Sequence, residues 1–309
     1  MELSAQRAFS QRMRWSRRRR LARPFALLTP ALGLMILIVA YPIARSVYLS
    51  FHEFSLLNHS NIGFVGLAKY RHALRDPLFW KALNTTAVWV AAIVPSQLVL
   101  GLIVAILLNR EFPFRGLVRA LVLIPWVFPG VLNGLMWTWM YDGNYGVIND
   151  LLVRFHILSE YYPFLAKPGT ALPAVIIATV WQGTPFFTIM LLAALQAVSE
   201  DLYEAAKIDG ASSWQEFRFI TIPGILPTIV ITALLRTIWV ANYTDVILIM
   251  TRGGPGYATQ TLPVFTFLQA YASLDFGYAA ALSFFLAVLL MIVVSLYVLY
   301  LRRAGMVLR

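Results

Sequence analysis

The chain has no cysteine, which excludes disulfides, thiolate-bound zinc, iron–sulfur clusters and a thiol nucleophile. Charge is nearly as scarce: 13% of the 309 residues are Asp, Glu, Lys or Arg, against about 25% in soluble domains. Phosphate-cradling loops are missing too. No Gly-x-x-x-x-Gly-Lys-Ser/Thr occurs and the dipeptide Gly-Lys never appears, so the chain cannot build a Walker-type nucleotide site. There is no His-Glu-x-x-His, and His52, His59, His72 and His156 lack metal-ligand spacing. Asp142, Asp150 and Glu160 share a polar stretch that implies no pocket. Neither a catalytic constellation nor a metal site is expected.

What is plentiful is apolar surface, at 60% of residues. Six runs are long enough to cross about 30 Å of hydrocarbon as helices: 25–50, 84–108, 117–141, 172–198, 225–250 and 278–301. Lipid offers no partner for backbone amides, so continuous helix is the default, and the runs are too long and too evenly apolar for barrel strands. The fold expected is all-α, a polytopic membrane protein of six transmembrane helices. No internal repeat and no long linker divides it. A basic tail (1–23) precedes one membrane domain (24–309), whose outer segments 51–83 and 142–171 read as short surface helices and turns.

The net charge of +11 is a topology signal. Eight arginines (Arg7, Arg12, Arg14, Arg17, Arg18, Arg19, Arg20 and Arg23) stand directly before the first run. With the N-terminus inside, sixteen lysines and arginines fall on the cytoplasmic side and eight outside. Both termini are then cytoplasmic. The first run outlasts the about 7–15 residues of a signal-peptide core and continues to Tyr41-Pro42-Ile43, so it reads as a retained span. Nothing folded or aromatic accompanies the arginines to suggest nucleic acid.

Residues 199–223, between the fourth and fifth runs, form an unusual cytoplasmic loop. Asp201 and Glu204 have capping-box spacing, with 202–209 helical and Gly210 a left-handed stop. Ser213 and Glu216 repeat the device, and Pro223 closes the second helix. Helices this short need a docking surface for Ala205, Ala206, Ile208, Trp214 and Phe217. Five acids (Glu200, Asp201, Glu204, Asp209, Glu216) face Lys207 and Arg218, against the basic trend of that side. A protein partner suits such a loop better than lipid headgroups.

Glu204-Ala205-Ala206, three residues, Gly210, nine residues, then Ile220-x-Ile222-Pro223 resembles the EAA signature of membrane subunits of bacterial ATP-binding-cassette importers. Ile222 replaces the usual leucine. The resemblance implies the type I importer permease fold, with Glu204, Ala205, Ala206, Gly210, Trp214 and Pro223 coupling to an ATPase. Tyr41-Pro42-Ile43, Trp181-x-Gly183-x-Pro185-Phe186 and Thr251-Arg252-Gly253-Gly254-Pro255-Gly256 resemble the carbohydrate branch, the maltose and glycerol-3-phosphate importer type. The partners implied are a second permease (identical or homologous), two ATPase copies that bind ATP and Mg, and an extracytoplasmic solute-binding protein, all at a bacterial inner membrane.

Polar groups inside spans are expensive and tend to face wet cavities or protein. Thr179, Gln182, Asn242 and Asp245, with Gly183 and the aromatics Phe186, Trp239 and Tyr243, therefore form the substrate-binding candidates, amides for hydroxyls beside rings for apolar sugar faces. Interhelical packing is the equal alternative for any one of them. Arg236 and Asp245 lie about 13–14 Å apart along a regular helix, half a turn out of phase. They cannot pair unless the helix breaks, and a free Arg236 keeps an anionic solute such as glycerol-3-phosphate open. Solutes such as amino acids or metals, or a membrane-embedded glycosyltransferase, are the competing readings. The latter would need clustered carboxylates that the span boundaries lack.

Overall fold

The computed structural model describes residues 28–57 and 63–303; the basic tail, His59 and Arg309 lie outside them. Among the described residues every regular element is helical. Five helices are long and apolar enough to span a membrane. They are α1 (Leu28–Ser50), α3 (Pro77–Asn109), α7 (Pro168–Gln196), the composite Ser213–Met250, and α13 (Phe276–Arg303). The segments 51–83 and 142–171 carry the short helices α2 (Ala68–Arg75) and α6 (Val147–Arg154), as the sequence suggests.

The third run, which holds Pro125 and Pro129, is bent and is not one continuous rod. It divides into α4 (Arg115–Val127) and α5 (Gly130–Met140), which meet at 94°. Phe128 is extended at φ −68°, ψ 124° because the Pro129 ring disfavours helical geometry in the residue before it. The fifth run is broken too, into α10 (Ile222–Ala241) and α11 (Asp245–Met250). Pro95, Pro185 and Pro227 lie inside helices that continue through them.

Pro223 does not end a helix, contrary to expectation. Helix α9 (Ser213–Glu216) passes through a π turn (Phe217–Thr221) directly into α10, with Pro223 in the first turn of α10. The Ile222 amide reaches back five residues to the Phe217 carbonyl. This wider turn takes up the ring and the missing donor of the proline that follows. The same solution recurs in α1, where a π turn (Ile36–Ala40) precedes Tyr41-Pro42.

α3 and α7 form the centre of the bundle, with α10 packed across both. Trp89, Ile93, Val175, Phe187, Leu191, Ile225 and Val240 are buried between them. The Trp89 indole donates to the Val240 carbonyl (3.0 Å). α11 lies along α5, where Gly134 admits Ile249 and Gly130 admits the Tyr243 hydroxyl, so Gly130-x-x-x-Gly134 serves close packing. A second core joins α2, the start of α3, α12 (Leu262–Tyr271) and α13 through Ala73, Phe79, Leu262, Phe265 and Tyr278.

Above this second core Lys69 donates to Glu53 (2.9 Å) and Asp275 (3.0 Å), and Tyr278 donates to Asp76 (3.0 Å). Burial opposes the Lys69 charge, but the hydrogen bonds it donates to the Glu53 and Asp275 carboxylates, with their negative charge, outweigh it and hold the ammonium above its ordinary range. The stabilisation is therefore complete through neutral pH and is lost only as pH rises through that raised value. α1 contrasts with the rest. Its apolar stretch has no buried residue, and Ile36, Leu37 and Ile38 are each exposed.

Candidate functional site

Two places stand out: the elbow before α10, and a polar cluster where the two broken spans meet α7. At the elbow, α8 (Glu200–Ile208) starts at Ser199 without a side-chain cap, two residues earlier than the Asp201–Glu204 spacing suggests. It stops as expected. Gly210 has φ +76°, the Ala211 amide bonds the Ala206 carbonyl (2.9 Å) and the Gly210 amide that of Lys207 (3.1 Å). This is the six-to-one and five-to-two closure of a Schellman stop. The next cap is Ser212, not Ser213. Its hydroxyl accepts from the Gln215 amide (3.4 Å), and Gln215 Oε1 accepts from the Ser212 amide (2.7 Å).

The elbow leaves its apolar side chains unburied. Ile208 is 87% exposed and Trp214 66%, the latter against Phe217 with ring centres 5.5 Å apart. Glu204 and Ala205 are exposed and Ala206 half-buried. Among the described residues none of these acids makes a salt bridge. A hollow of about 260 Å³ opens beside Ala206, Gly210, Gln215 and Phe219.

At the polar cluster, Gln182 is the hub. Its Nε2 donates to the Phe128 carbonyl (2.8 Å), freed by the α4–α5 bend. Its Oε1 accepts from Asn133 on α5 (3.2 Å) and from the Tyr243 hydroxyl (2.7 Å), in the gap between α10 and α11. One amide thus fastens both interruptions. Nearby, Arg236 Nε donates to Gln97 Oε1 (2.7 Å), whose Nε2 donates to the Thr179 carbonyl (2.7 Å). Gln97 thereby answers what Arg236 pairs with, and the helix break places Asp245 on a separate segment.

The other candidates fall on two sides of this network. Phe186 is buried against Trp239, with ring centres 5.2 Å apart, while Trp239 stays 47% exposed and Phe186 continues the aromatic face to Trp126. Asn242 and Asp245 are exposed at the gap, the former bonded to the Ile238 carbonyl (2.9 Å). Thr179 is fully buried and donates to Val175, so it belongs to the support behind the cluster. Sequence reasoning misses Gln97 and Asn133. Each is an amide inside an apolar run, the signal that selects Gln182. The buried Oδ1 of Asn133 has no hydrogen-bond partner.

Gly183 fits this site for a steric reason. A Cβ there would collide with the Arg236 guanidinium and the Gln97 amide. Gly183→Ala is expected to lower stability by about 1–3 kcal/mol, the usual range for overpacking. The check is the melting temperature in detergent, where Gly116→Ala, with no atom near its would-be Cβ, is expected to match the unsubstituted chain.

Comparison with known proteins gives this arrangement its setting. Residues 97–305 match the family described as binding-protein-dependent transport system inner membrane component. The sulfoquinovosyl glycerol transport system permease protein of Agrobacterium fabrum is 36% identical over 271 residues, covering 88% of this chain and 87% of the relative. The trehalose/maltose transport system permease protein of Thermococcus litoralis is 35% identical over 278 residues, covering 90% and 92%. In fold, the chain superposes on one from a bacterial ABC transporter involved in import of the acidic polysaccharide alginate. The TM-score is 0.81 at 21% identity, over 94% of this chain and 98% of that one. A multi-pass helical chain with an EAA elbow and a fold shared with an importer subunit is thereby placed: it belongs to the binding-protein-dependent transport system inner membrane components, the permease subunits of ATP-binding-cassette importers.

Proposed function

We propose that this chain lines the translocation path of a carbohydrate importer, beside a second permease, and is driven by two cytoplasmic ATPase subunits. The exposed elbow carries this reading. Residues 199–223 hold a capped turn whose exposed apolar and acidic side chains are left unburied by the chain itself, as a helix seated in another protein's cleft requires. Glu204, Ala205, Ala206, Gly210 and Trp214 would make that contact, and Pro223 marks where the elbow joins the α10 rod. ATP and Mg belong to the ATPases. Their closure would push the elbow, rock the bundle and turn the cavity from inside to outside. Both termini lie in the cytoplasm under this arrangement, and the turn at 252–256 faces the solute-binding protein.

The exposed aromatic face of Trp239 with Asn242, Tyr243 and Asp245 suits the ring faces and hydroxyls of a sugar, with Gln182, Gly183 and Phe186 behind it. Relatives named for sulfoquinovosyl glycerol and for trehalose/maltose transport favour a glycoside or disaccharide over an amino acid or metal ion. The test is to purify the chain with its associated proteins and to titrate the solute-binding protein against disaccharides, glycosides of glycerol, glycerol phosphates and amino acids. Co-purification of an ATPase and micromolar binding of a carbohydrate are expected. An amino acid as best ligand would overturn the choice of cargo.

A further inference from the structure

We propose that Tyr203 is a positioning residue whose hydroxyl carries movement of the coupling helix α8 into the α10 rod, through Thr221. The proposal rests on the reading of the elbow as the ATPase contact. Among the described residues, the Tyr203 Oη···Thr221 Oγ1 hydrogen bond (3.0 Å) is the one side-chain hydrogen bond that leaves α8. No residue of α8 is buried, and the helix packs extensively on no other element. A hollow of about 260 Å³ is lined by Tyr203, by Ile106 and Arg110 at the end of α3, by Leu195 at the end of α7, and by Phe217 and Thr221 of the elbow. α8 is therefore held by its chain ends and by this one tie, rather than by packing.

The far end of the tie is well chosen. Thr221 is 8% exposed and closes the π turn, two residues before Pro223. It also bonds the Glu216 carbonyl across that turn (3.4 Å). A π turn departs from the i→i−4 ladder and is the place in the composite helix where a push along the chain would be absorbed by bending. The Tyr203–Thr221 bond bypasses it, joining α8 to the base of α10 directly. α10 in turn carries Arg236 and leads to Tyr243, the groups fastened to Gln97 and Gln182.

This chain has no cysteine, so introduced pairs are its only thiols, and the associated subunits are used with their own cysteines replaced. Spin labels at Asp201→Cys and Leu107→Cys report α8 against α3; labels at Ile231→Cys and Ile103→Cys report α10 against α3. Each pair is placed in the full complex with its second permease and ATPases, and distances are measured with and without ATP plus vanadate. In the otherwise unsubstituted chain both pairs are expected to shift. In Tyr203→Phe and Thr221→Val the α8 shift is expected to persist while the α10 shift falls to less than half. Thr221→Ser, which keeps a hydroxyl, is expected to restore it. An unchanged α10 shift in Tyr203→Phe overturns the proposal. So does loss of the ATPases from the Tyr203→Phe complex, which would make the hydroxyl a part of the docking surface. Absence of any α8 shift in the unsubstituted complex removes the coupling reading itself, a distinct failure.

Discussion

Gly210→Val is expected to reduce co-purification of the ATPase at least tenfold while the membrane bundle stays folded. The elbow turns at Gly210 with φ +76°, a conformation that costs an L-residue about 1–2 kcal/mol and a β-branched one more. An added Cβ would touch nothing within 4 Å, so the effect is conformational and not steric. That separation supplies the control. Asn tolerates the left-handed region, so Gly210→Asn is expected to retain most of the ATPase, with Gly210→Ala between the two. Melting of the detergent-solubilised chain should be little changed, because α8 contributes no buried side chain. Equal losses for Asn and Val would show that the turn conformation is not what the partner reads.

The second large effect is expected at Gln182. Gln182→Leu strands the Phe128 carbonyl and the Tyr243 hydroxyl together and leaves the Asn133 amide with only its longer bond to the Ala178 carbonyl (3.4 Å). An unpaired buried polar group costs about 1–3 kcal/mol, and the three are close enough to act as one unit. Uptake of the carbohydrate that the binding protein retains is expected to fall more than tenfold, with a lowered melting temperature. Gln182→Glu separates the two halves of the role. It keeps the acceptor for Asn133 and Tyr243 but cannot donate to Phe128 when ionised, so it should hold the α10–α11 gap and loosen the α4–α5 bend. The check is proteolysis or labelling at each break. If Gln182→Leu transports normally, the two breaks are held by packing alone.

The elbow is largely legible in the sequence, because its signals are local. A Schellman stop needs a residue that accepts positive φ, and Gly210 supplies one at the right distance from Ser199. The caps are displaced by one or two residues, since several adjacent Ser, Asp and Gln letters offer similar bonds and only backbone geometry chooses among them. Pro223 departs from expectation for a different reason. Proline forbids the i→i−4 bond, but a π turn before it lets the helix proceed, and the sequence does not declare which outcome follows.

The site in the bundle shows the opposite balance. Gln182, Tyr243 and Arg236 are identifiable as polar letters in apolar runs. Gln97 and Asn133 carry the same signal, yet a lone amide on a span has no partner until other spans are placed. The breaks at 128–129 and 242–244 do carry local letters, Pro129-Gly130 and Asn242-Tyr243-Thr244-Asp245, but how the segments on either side pack is not written in them. Hydropathy, positive-charge asymmetry and the cap-and-glycine pattern determine that this chain is a multi-pass membrane protein and where along it the elbow lies, since each depends on residues within a few positions of one another. Which amide fastens which carbonyl, that one glutamine serves two breaks, and that Arg236 rests on Gln97 instead of Asp245 are decided only by tertiary packing. Those partners lie some 50 to 140 residues apart along the chain, and only the closed bundle brings them within hydrogen-bond reach.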